Sequence, residues 1–157
     1  NEQWLSIKEK MLAQLDAISS QTKTGLLPDF MWVDEQGARV ADPVTIESKY
    51  DGAYSYNACR LPYNLAQSQD KTSQKLAKKM LDFFMKQRNI YAGYDLKGNA
   101  LHQYQAASFI APVSYAAENG DGYLKLVQQN KFIFMQDLST ENYYDATMTT
   151  MIALQLF

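Results

Sequence analysis

The chain has 157 residues, enough for one domain with its own core, and 46% hydrophobic and 20% charged residues are typical of a globular protein. The net charge of −2 argues against a nucleic-acid partner, which would require a basic surface. No apolar run approaches the roughly 20 residues that span a bilayer, so we expect no membrane partner either.

Residues 3–19 are predicted to form the first helix, because apolar residues recur there at spacings of three and four. Asn1 leads directly into this pattern with no signal peptide ahead of it, as expected for a mature product or a fragment. Residues 20–52 lack periodicity and are interrupted by glycine and proline, which predicts a long loop of the kind that often carries function. We find no convincing period-two alternation in the chain and predict no strand.

Five more helices are predicted downstream. Their ranges are 54–66, 72–88, 102–117, 122–135 and a last helix that runs to the end of the chain. Thr72 is a candidate cap for the third helix, and Ser139 or Thr140 begins the sixth. Pro62 and Pro112 lie inside predicted helices, where each should kink the helix or mark a late start.

The predicted helices alternate in charge. The first, third and fifth carry more charged residues, whereas the second, fourth and sixth are almost free of charge between their ends. Because a helix that is apolar on all sides is buried on all sides, we predict an all-α protein of three helical hairpins, each with an outer and an inner helix. Three such hairpins are half of an (α/α)6 barrel. The alternative is an α-solenoid, but no repeat of fixed period supports it.

Cysteine and histidine are scarce. Cys59 is the one cysteine, which excludes an internal disulfide, and its apolar and aromatic neighbours predict a buried, unreactive thiol. His102, the one histidine, is expected to begin the fourth helix as a cap or hydrogen-bonding residue. The sequence has no metal-ligand spacing such as Cys-x-x-Cys, so we predict no metal and no other cofactor.

The segment 54–65, Tyr-Ser-Tyr-Asn-Ala-Cys-Arg-Leu-Pro-Tyr-Asn-Leu, concentrates polar groups in a predicted buried helix. Buried polar groups must be hydrogen-bonded or they cost free energy, and packing alone rarely needs so many. The segment resembles the Tyr-Asp-Ala-Cys-Arg-x-Pro motif of glycoside hydrolase family 8. Three further segments resemble that family in the family's own order: the Gly-Leu-Leu-Pro-Asp loop at 25–32, the helix at 107–116 and the Asn-Tyr-Tyr-Asp helix at 142–151.

The resemblance implies an (α/α)6 barrel with a cleft across the ends of its inner helices. It also implies an inverting, endo-acting hydrolase of β-1,4-linked glycans, similar to cellulases or chitosanases. A polysaccharide or oligosaccharide would then be the substrate partner, and the location would be secreted or at the surface of a bacterial cell. The sequence alone does not indicate which glycan is cut.

Two parts of the family pattern do not occur in this sequence: the Ser-Glu-Gly-x-Gly-Tyr segment with the proton-donor glutamate, and the sugar-binding Ala-Thr-Asp-x-Asp segment. Both belong to the first half of the family's domain. We therefore interpret residues 1–157 as a single domain that corresponds to the C-terminal half, and expect it to be inactive alone. Its exposed inner helices would be covered by the N-terminal half or by a second copy. The alternative is a non-catalytic, glycan-binding or degenerate half-barrel.

Inverting hydrolysis needs an acid and a base about 6.5–9.5 Å apart, and the resemblance assigns the base to this half. Asn57 occupies the position of the family's catalytic aspartate, and its amide can position water but cannot accept a proton. Branches of the family with asparagine there use a glutamate from the preceding loop, which implies Glu47. Asp51 is the second candidate, although Asp-Gly is ordinary turn chemistry. Alternatively, Asn57 marks a lost or engineered base, and the site binds glycan without cutting it.

Arg60 follows Asn57 by three residues, so the two are expected on one helix face. The resemblance implies that Arg60 lies near the base and fixes a carboxylate by a bidentate contact, with a structural salt bridge as the alternative. Both residues are therefore candidates for the site.

Aromatic residues are candidates for stacking on sugar rings. Tyr54 and Tyr56 lie in the polar segment, where core packing is the alternative. Trp32 belongs to the long loop, at the tryptophan position of the resembled family. Tyr143 and Tyr144 begin the last helix near the expected cleft rim, and at least one of the two should belong to the core.

Overall fold

The computed structural model describes residues 2–157 and is mainly helical. Its helices are α1 (Glu2–Ser20), α2 (Leu61–Ala66), α3 (Lys71–Phe84), α4 (Ala107–Glu118), α5 (Leu124–Asn130) and α6 (Tyr143–Leu156). Two 3-10 turns, Ala58–Arg60 and Lys131–Phe134, precede α2 and follow α5. Strands β1 (Met31–Asp34) and β2 (Gly37–Val40) form an antiparallel hairpin. None of the helices described is both long and apolar enough to cross a membrane.

The hairpin contradicts the prediction that the chain contains no strand. Met31 pairs with Val40 and Asp34 with Gly37, which leaves a two-residue turn. Gly37 has a φ of +114°, in the region that favours glycine. The sequence pattern missed this hairpin because each strand has four residues and neither strand is buried on one face, so the period-two signal is weak.

The helices form two layers, one of helices with few charged residues and one of charged helices. Helix α4 is the most buried, with nine of its twelve residues inside, and it packs between α2 and α6. These three helices form the inner layer. Helix α3 packs against α2 and α1, and α5 packs against α4, so the charged helices α1, α3 and α5 form an outer layer. The alternation of charge agrees with the burial of α4 but not with that of α6, which has three buried residues against seven in the charged helix α3.

Several predicted helix boundaries are wrong. Helix α3 ends at Phe84 rather than at 88, and α6 is capped by Asn142 rather than by Ser139 or Thr140. Residues 54–57 are not part of α2, which begins at Leu61 with Pro62 in its first turn. Pro62 therefore marks a late start, where its missing N–H costs nothing. Helix α4 begins at Ala107, and residues 102–106 belong to the preceding loop. Pro112, in contrast, lies inside α4.

The third helix is capped by a different residue from the one predicted. The Asp70 carboxylate accepts hydrogen bonds from the backbone N–H groups of Thr72 and Ser73, at 2.8 and 3.3 Å. Those two donors are among the four that a helix start leaves without a partner. Asp70 is therefore the N-cap, and Thr72 is the second helical residue.

Tyr54 and Tyr94 join two loops inside the core. Each donates its backbone N–H to the other's carbonyl at 2.9 Å. Both rings are buried and lie near Phe84, and Tyr54 also lies 5.9 Å from Phe109 in an edge-to-face arrangement. Their hydroxyls differ. The Tyr94 hydroxyl accepts from the N–H of Tyr91 and donates to a carbonyl, whereas that of Tyr54 has no hydrogen-bond partner within residues 2–157.

This difference predicts opposite effects of the same substitution. Tyr54→Phe should leave the free energy of unfolding unchanged or raise it, because the lost hydroxyl is buried without a partner. Tyr94→Phe leaves the Tyr91 N–H without its acceptor and should lower the free energy of unfolding by about 1–3 kcal/mol. Urea denaturation followed by circular dichroism measures both. Equal losses in the two variants would contradict the unequal pairing of the hydroxyls.

Candidate functional site

The loop before the polar segment is built around one buried carboxylate. Asp51 is 1% exposed, and its two oxygens accept hydrogen bonds from the backbone N–H groups of Ile46, Glu47 and Ser48, the shortest at 2.6 Å. Burial by itself would raise the pKa of Asp51, but these N–H groups outweigh it and hold the pKa below its ordinary value. Asp51 therefore fixes the backbone on both sides of Glu47.

Glu47 is exposed and reaches the residue at the family's aspartate position. Its Oε2 accepts a hydrogen bond from Nδ2 of Asn57 at 3.0 Å. On the other side, Nη2 of Arg60 donates to Oδ1 of Asn57 at 3.1 Å, and Nε of Arg60 donates to the Asn57 carbonyl at 3.2 Å. Glu47, Asn57 and Arg60 thus form a continuous hydrogen-bonded row, which we call the Glu47–Asn57–Arg60 row.

The partners define which way the Asn57 amide points. Arg60 offers only donors, so the oxygen of the amide must face it, and an ionised Glu47 offers only acceptors, so the NH2 group must face Glu47. An amide is the side chain that satisfies both at once. An aspartate at this position would place a second carboxylate against Glu47.

Arg60 was expected to hold a carboxylate or to form a salt bridge, and it does neither within the described residues. Its guanidinium makes a bidentate contact, but with the carbonyl and amide oxygens of Asn57. Asn57 precedes the 3-10 turn rather than lying within a helix, yet the spacing of three residues still brings the two side chains together.

A second carboxylate, Asp29, anchors the backbone beneath Asn57. Its Oδ1 accepts from the N–H groups of Ser55 and Ala58 at 2.9 and 2.7 Å, and its own N–H donates to the Ala53 carbonyl. Burial raises the pKa of Asp29, although the N–H groups of Ala58, Ser55 and Asn57 oppose that rise. Sequence reasoning did not single out Asp29. The available signal was its place after Pro28 in a Gly-Leu-Leu-Pro-Asp stretch that otherwise has no reason to carry an acid.

Tyr54 and Tyr56, two of the three tyrosines of the polar segment, differ in exposure. Tyr54 is fully buried, so the prediction that it stacks on a sugar ring is wrong: its side chain packs into the core because its backbone pairs with Tyr94. Tyr56 is half-buried, with its ring 4.9 Å from Phe109 and its hydroxyl 3.1 Å from the hydroxyl of Tyr104. Only Tyr56 remains available to a ligand.

Trp32 and Tyr143 are exposed at the surface. Trp32 is on β1, opposite Arg39, whose guanidinium is 5.7 Å from the indole ring. Tyr143 is 85% exposed at the first position of α6. In the described part of the chain, neither side chain has a hydrogen bond or ring contact with the row, so their binding roles remain predictions.

Tyr144 and Cys59 complete the inner wall behind Tyr56. The Tyr144 hydroxyl donates to the Tyr56 carbonyl at 3.1 Å, which makes Tyr144 the partly buried member of the Tyr143–Tyr144 pair. Cys59 is buried as predicted, and burial raises the pKa of its thiol to about 12. The thiol therefore stays protonated and unreactive near neutral pH.

His102 does not begin a helix, contrary to the prediction. Its ring lies in the loop before α4, 5.3 Å from the ring of Tyr50 and 5.1 Å from that of Tyr104. The helix was predicted too early because the sequence from 102 to 106 has no glycine or proline to interrupt it. In the region that the structure describes, His, Cys, Asp and Glu side chains form no group of three that could hold a metal ion.

The chain is similar to known glycoside hydrolases. The family Glycosyl hydrolases family 8 matches residues 1–156. A beta-glucanase of Niallia circulans is 26% identical over 125 residues, which are 73% of this chain and 31% of that protein. The apo structure of a beta-1,3-1,4-glucanase from Paenibacillus sp. X4 matches with a TM-score of 0.88 and 21% identity, over 99% of this chain and 44% of that one. The chain spans less than half the length of each, and the structural match concerns the fold.

The carboxyl groups of Asp29 and Asp51 are expected to titrate in a defined order. Because the pKa of Asp29 is raised and that of Asp51 lowered, Asp29 should take up a proton above the ordinary value of 3.8 and Asp51 below it. The stability that Asp51 gives to its loop is therefore complete above pH 3.8 and lost only as the pH falls through its lower value. Carboxyl-carbon NMR titration measures both, with Asp29→Asn and Asp51→Asn to assign the signals. The reverse order would contradict the hydrogen-bond assignments.

Proposed function

Because the chain belongs to glycosyl hydrolase family 8, we propose that it is the C-terminal part of an inverting endo-β-1,4-glycanase that hydrolyses glucan, xylan or chitosan outside the bacterial cell. The observation that carries this proposal is the hydrogen bond from Asn57 to the Glu47 carboxylate. It brings a carboxylate from the preceding loop to the position where the resembled family motif has its catalytic aspartate.

In this proposal Glu47 is the general base. Its Oε2 is held by Asn57, and its Oε1 has no hydrogen-bond partner among residues 2–157, so Oε1 can accept a proton from the attacking water. Asn57 orients the carboxylate, and Arg60 orients Asn57. Asp51, the second candidate for the base, has both oxygens occupied by the loop backbone and is assigned to positioning Glu47.

The proton donor is proposed to come from outside these residues. Asp29 and Asp51 hold backbone N–H groups and cannot reach a leaving group without releasing them. The Ser-Glu-Gly-x-Gly-Tyr segment of the resembled family is not present in the 157 residues. A complementary N-terminal half would provide the acid at about 6.5–9.5 Å from Glu47.

The layering of the helices supports half of an (α/α)6 barrel. The proposed inner helices pack side by side, α2 against α4 and α4 against α6. Each of them is preceded in sequence by an outer helix. Apolar side chains are exposed where the inner layer ends, with Leu154 of α6 79% exposed. An open groove of about 440 Å³ beside α6 is lined mainly by apolar residues, among them Val127 and Phe134. A surface of this kind needs a partner, either the other half or a second copy.

Glu47→Gln tests the base in a protein in which this segment is joined to its N-terminal half. We expect kcat on β-glucan to fall about 10²–10⁴-fold with little change in KM, because an amide keeps the shape but accepts no proton. Glu35→Gln, the same change in the exposed hairpin turn, is the control and should leave kcat unchanged. Retained activity in Glu47→Gln would exclude Glu47 as the base. Wild-type protein that binds glycan without cutting it would support the non-catalytic alternative.

The isolated 157-residue chain should release no reducing ends from lichenan, cellulose or chitosan, because the proposed proton donor belongs to the N-terminal half. Addition or fusion of the N-terminal half should restore release, measured by a reducing-sugar assay. Steady hydrolysis by the isolated chain would contradict the assignment of the acid to the other half.

A further inference from the structure

Tyr104 is an exposed aromatic residue that the structure nevertheless holds in place. Its side chain is 50% exposed in the loop before α4. Its hydroxyl lies 3.1 Å from the Tyr56 hydroxyl, its ring lies 5.1 Å from the His102 ring at a tilt of 37°, and its carbonyl accepts the Ala92 N–H. A side chain that is already ordered loses little entropy when it binds a ligand. Tyr104 therefore has the properties of a prepared contact surface.

Two more rings connect Tyr104 to the loop of the proposed base. Tyr50 lies edge-on to His102 at 5.3 Å, and it follows Glu47 by three residues in the loop that Asp51 organises. We call Tyr50, His102 and Tyr104 the aromatic platform. At its other end, Tyr104 contacts Tyr56, the residue before Asn57. The platform thus runs between the two segments that provide the Glu47–Asn57 pair.

Exposure alone would not single out Tyr104. Tyr143 is more exposed, but it has no ring contact or side-chain hydrogen bond among the described residues. Trp32 contacts only Arg39 through its ring. Tyr104 is distinguished by being exposed and yet held in place. Tyr56 and His102 contact its side chain, and Ala92 binds its backbone carbonyl.

We propose that the outer face of Tyr104 binds a sugar ring of an uncharged β-linked glycan next to the Glu47–Asn57 pair. The identity of the ligand as a glycan rests on the proposed function. An aromatic ring can cover the C–H face of a pyranose while polar groups at its rim bind the sugar's hydroxyls, which is the usual division of work in ligand sites.

The charge beside the platform favours an uncharged sugar. The Lys49 ammonium lies 5.0 Å from the centre of the Tyr50 ring, at the loop end of the platform. A cation there would repel the ammonium group of a glucosamine unit, whereas it leaves a glucose or xylose unit unaffected. The platform is therefore predicted to select against chitosan-like oligomers.

The experiment uses the assembled protein with Glu47→Gln, so that bound oligosaccharide is not consumed. We measure its Kd for a neutral β-glucan hexasaccharide by calorimetry, with and without changes at Tyr104. Tyr104→Ala should raise Kd about 3–10-fold, as expected for one aromatic contact. Tyr104→Phe keeps the ring and should change Kd less than twofold. Tyr104→Leu, of similar bulk but without an aromatic face, should behave like the alanine variant, and circular dichroism checks that all three are folded.

An unchanged Kd in Tyr104→Ala would contradict the proposal that Tyr104 binds a sugar ring. A Tyr104→Phe variant that binds as weakly as Tyr104→Ala would contradict it too, because the hydroxyl contact with Tyr56 would then explain the effect. Glucosamine hexamer should bind more weakly than the neutral hexamer, and Lys49→Ala should narrow that gap; equal binding would overturn the selection by charge. In each of these outcomes the loss of activity in Glu47→Gln still tests the proposed function separately. Failure of the unmodified protein to bind any glycan would instead contradict the proposed function itself.

Discussion

The site depends on two carboxylates that hold backbone rather than substrate. The loop around Glu47 and the turn before Ala58 have no helix or sheet to satisfy their N–H groups, and buried N–H groups without partners are costly. Asp51 satisfies the first loop and Asp29 the second. Asp51 is buried and Asp29 partly buried, and each accepts hydrogen bonds from two or three backbone N–H groups. The two segments are therefore fixed in relation to the core, and Glu47 and Asn57 meet at their edge.

The opposite pKa shifts of these two residues follow from the balance of the same two forces. Burial penalises the charged form of both. At Asp51 the N–H groups of three successive residues surround the carboxylate and outweigh burial, whereas at Asp29 burial prevails. The charged form of Asp29 is therefore less well stabilised than that of Asp51, because its hydrogen bonds do not fully offset the effect of burial.

The hydrogen-bond partners of Asn57 account for an amide at this position. A donor-only guanidinium lies on one side of it and an acceptor-only carboxylate on the other, and an amide complements both. An aspartate here would place a second negative charge beside Glu47 and repel it. The asparagine and the loop glutamate thus make sense only together, which supports the proposal that the base has moved from the helix segment to the loop.

The sequence pattern predicted the features that depend on residues close together in sequence. The scarcity of charge in α4 predicted its burial, and the spacing of three residues identified the contact of Arg60 with Asn57. It failed at Tyr54, whose burial depends on a backbone pairing with Tyr94, distant in sequence. Asp29 was missed for the same reason, since the N–H groups that it binds belong to a separate segment. The β-hairpin was missed because its strands are too short to show a period.

The proposed N-terminal half would both cover the exposed apolar side chains of α6 and provide the proton donor. Leu154 on the proposed inner helix α6 is exposed, and the proposed base Glu47 needs a proton donor to complete the proposed reaction. In the proposed barrel both deficits are met by the same complementary helices, because a cleft across the inner helix ends takes one wall from each half. Covering the edge would therefore also fix the distance between acid and base. Stability and activity should then appear together when the two halves associate, since the surface that stabilises the inner layer is the surface that aligns the two carboxyl groups.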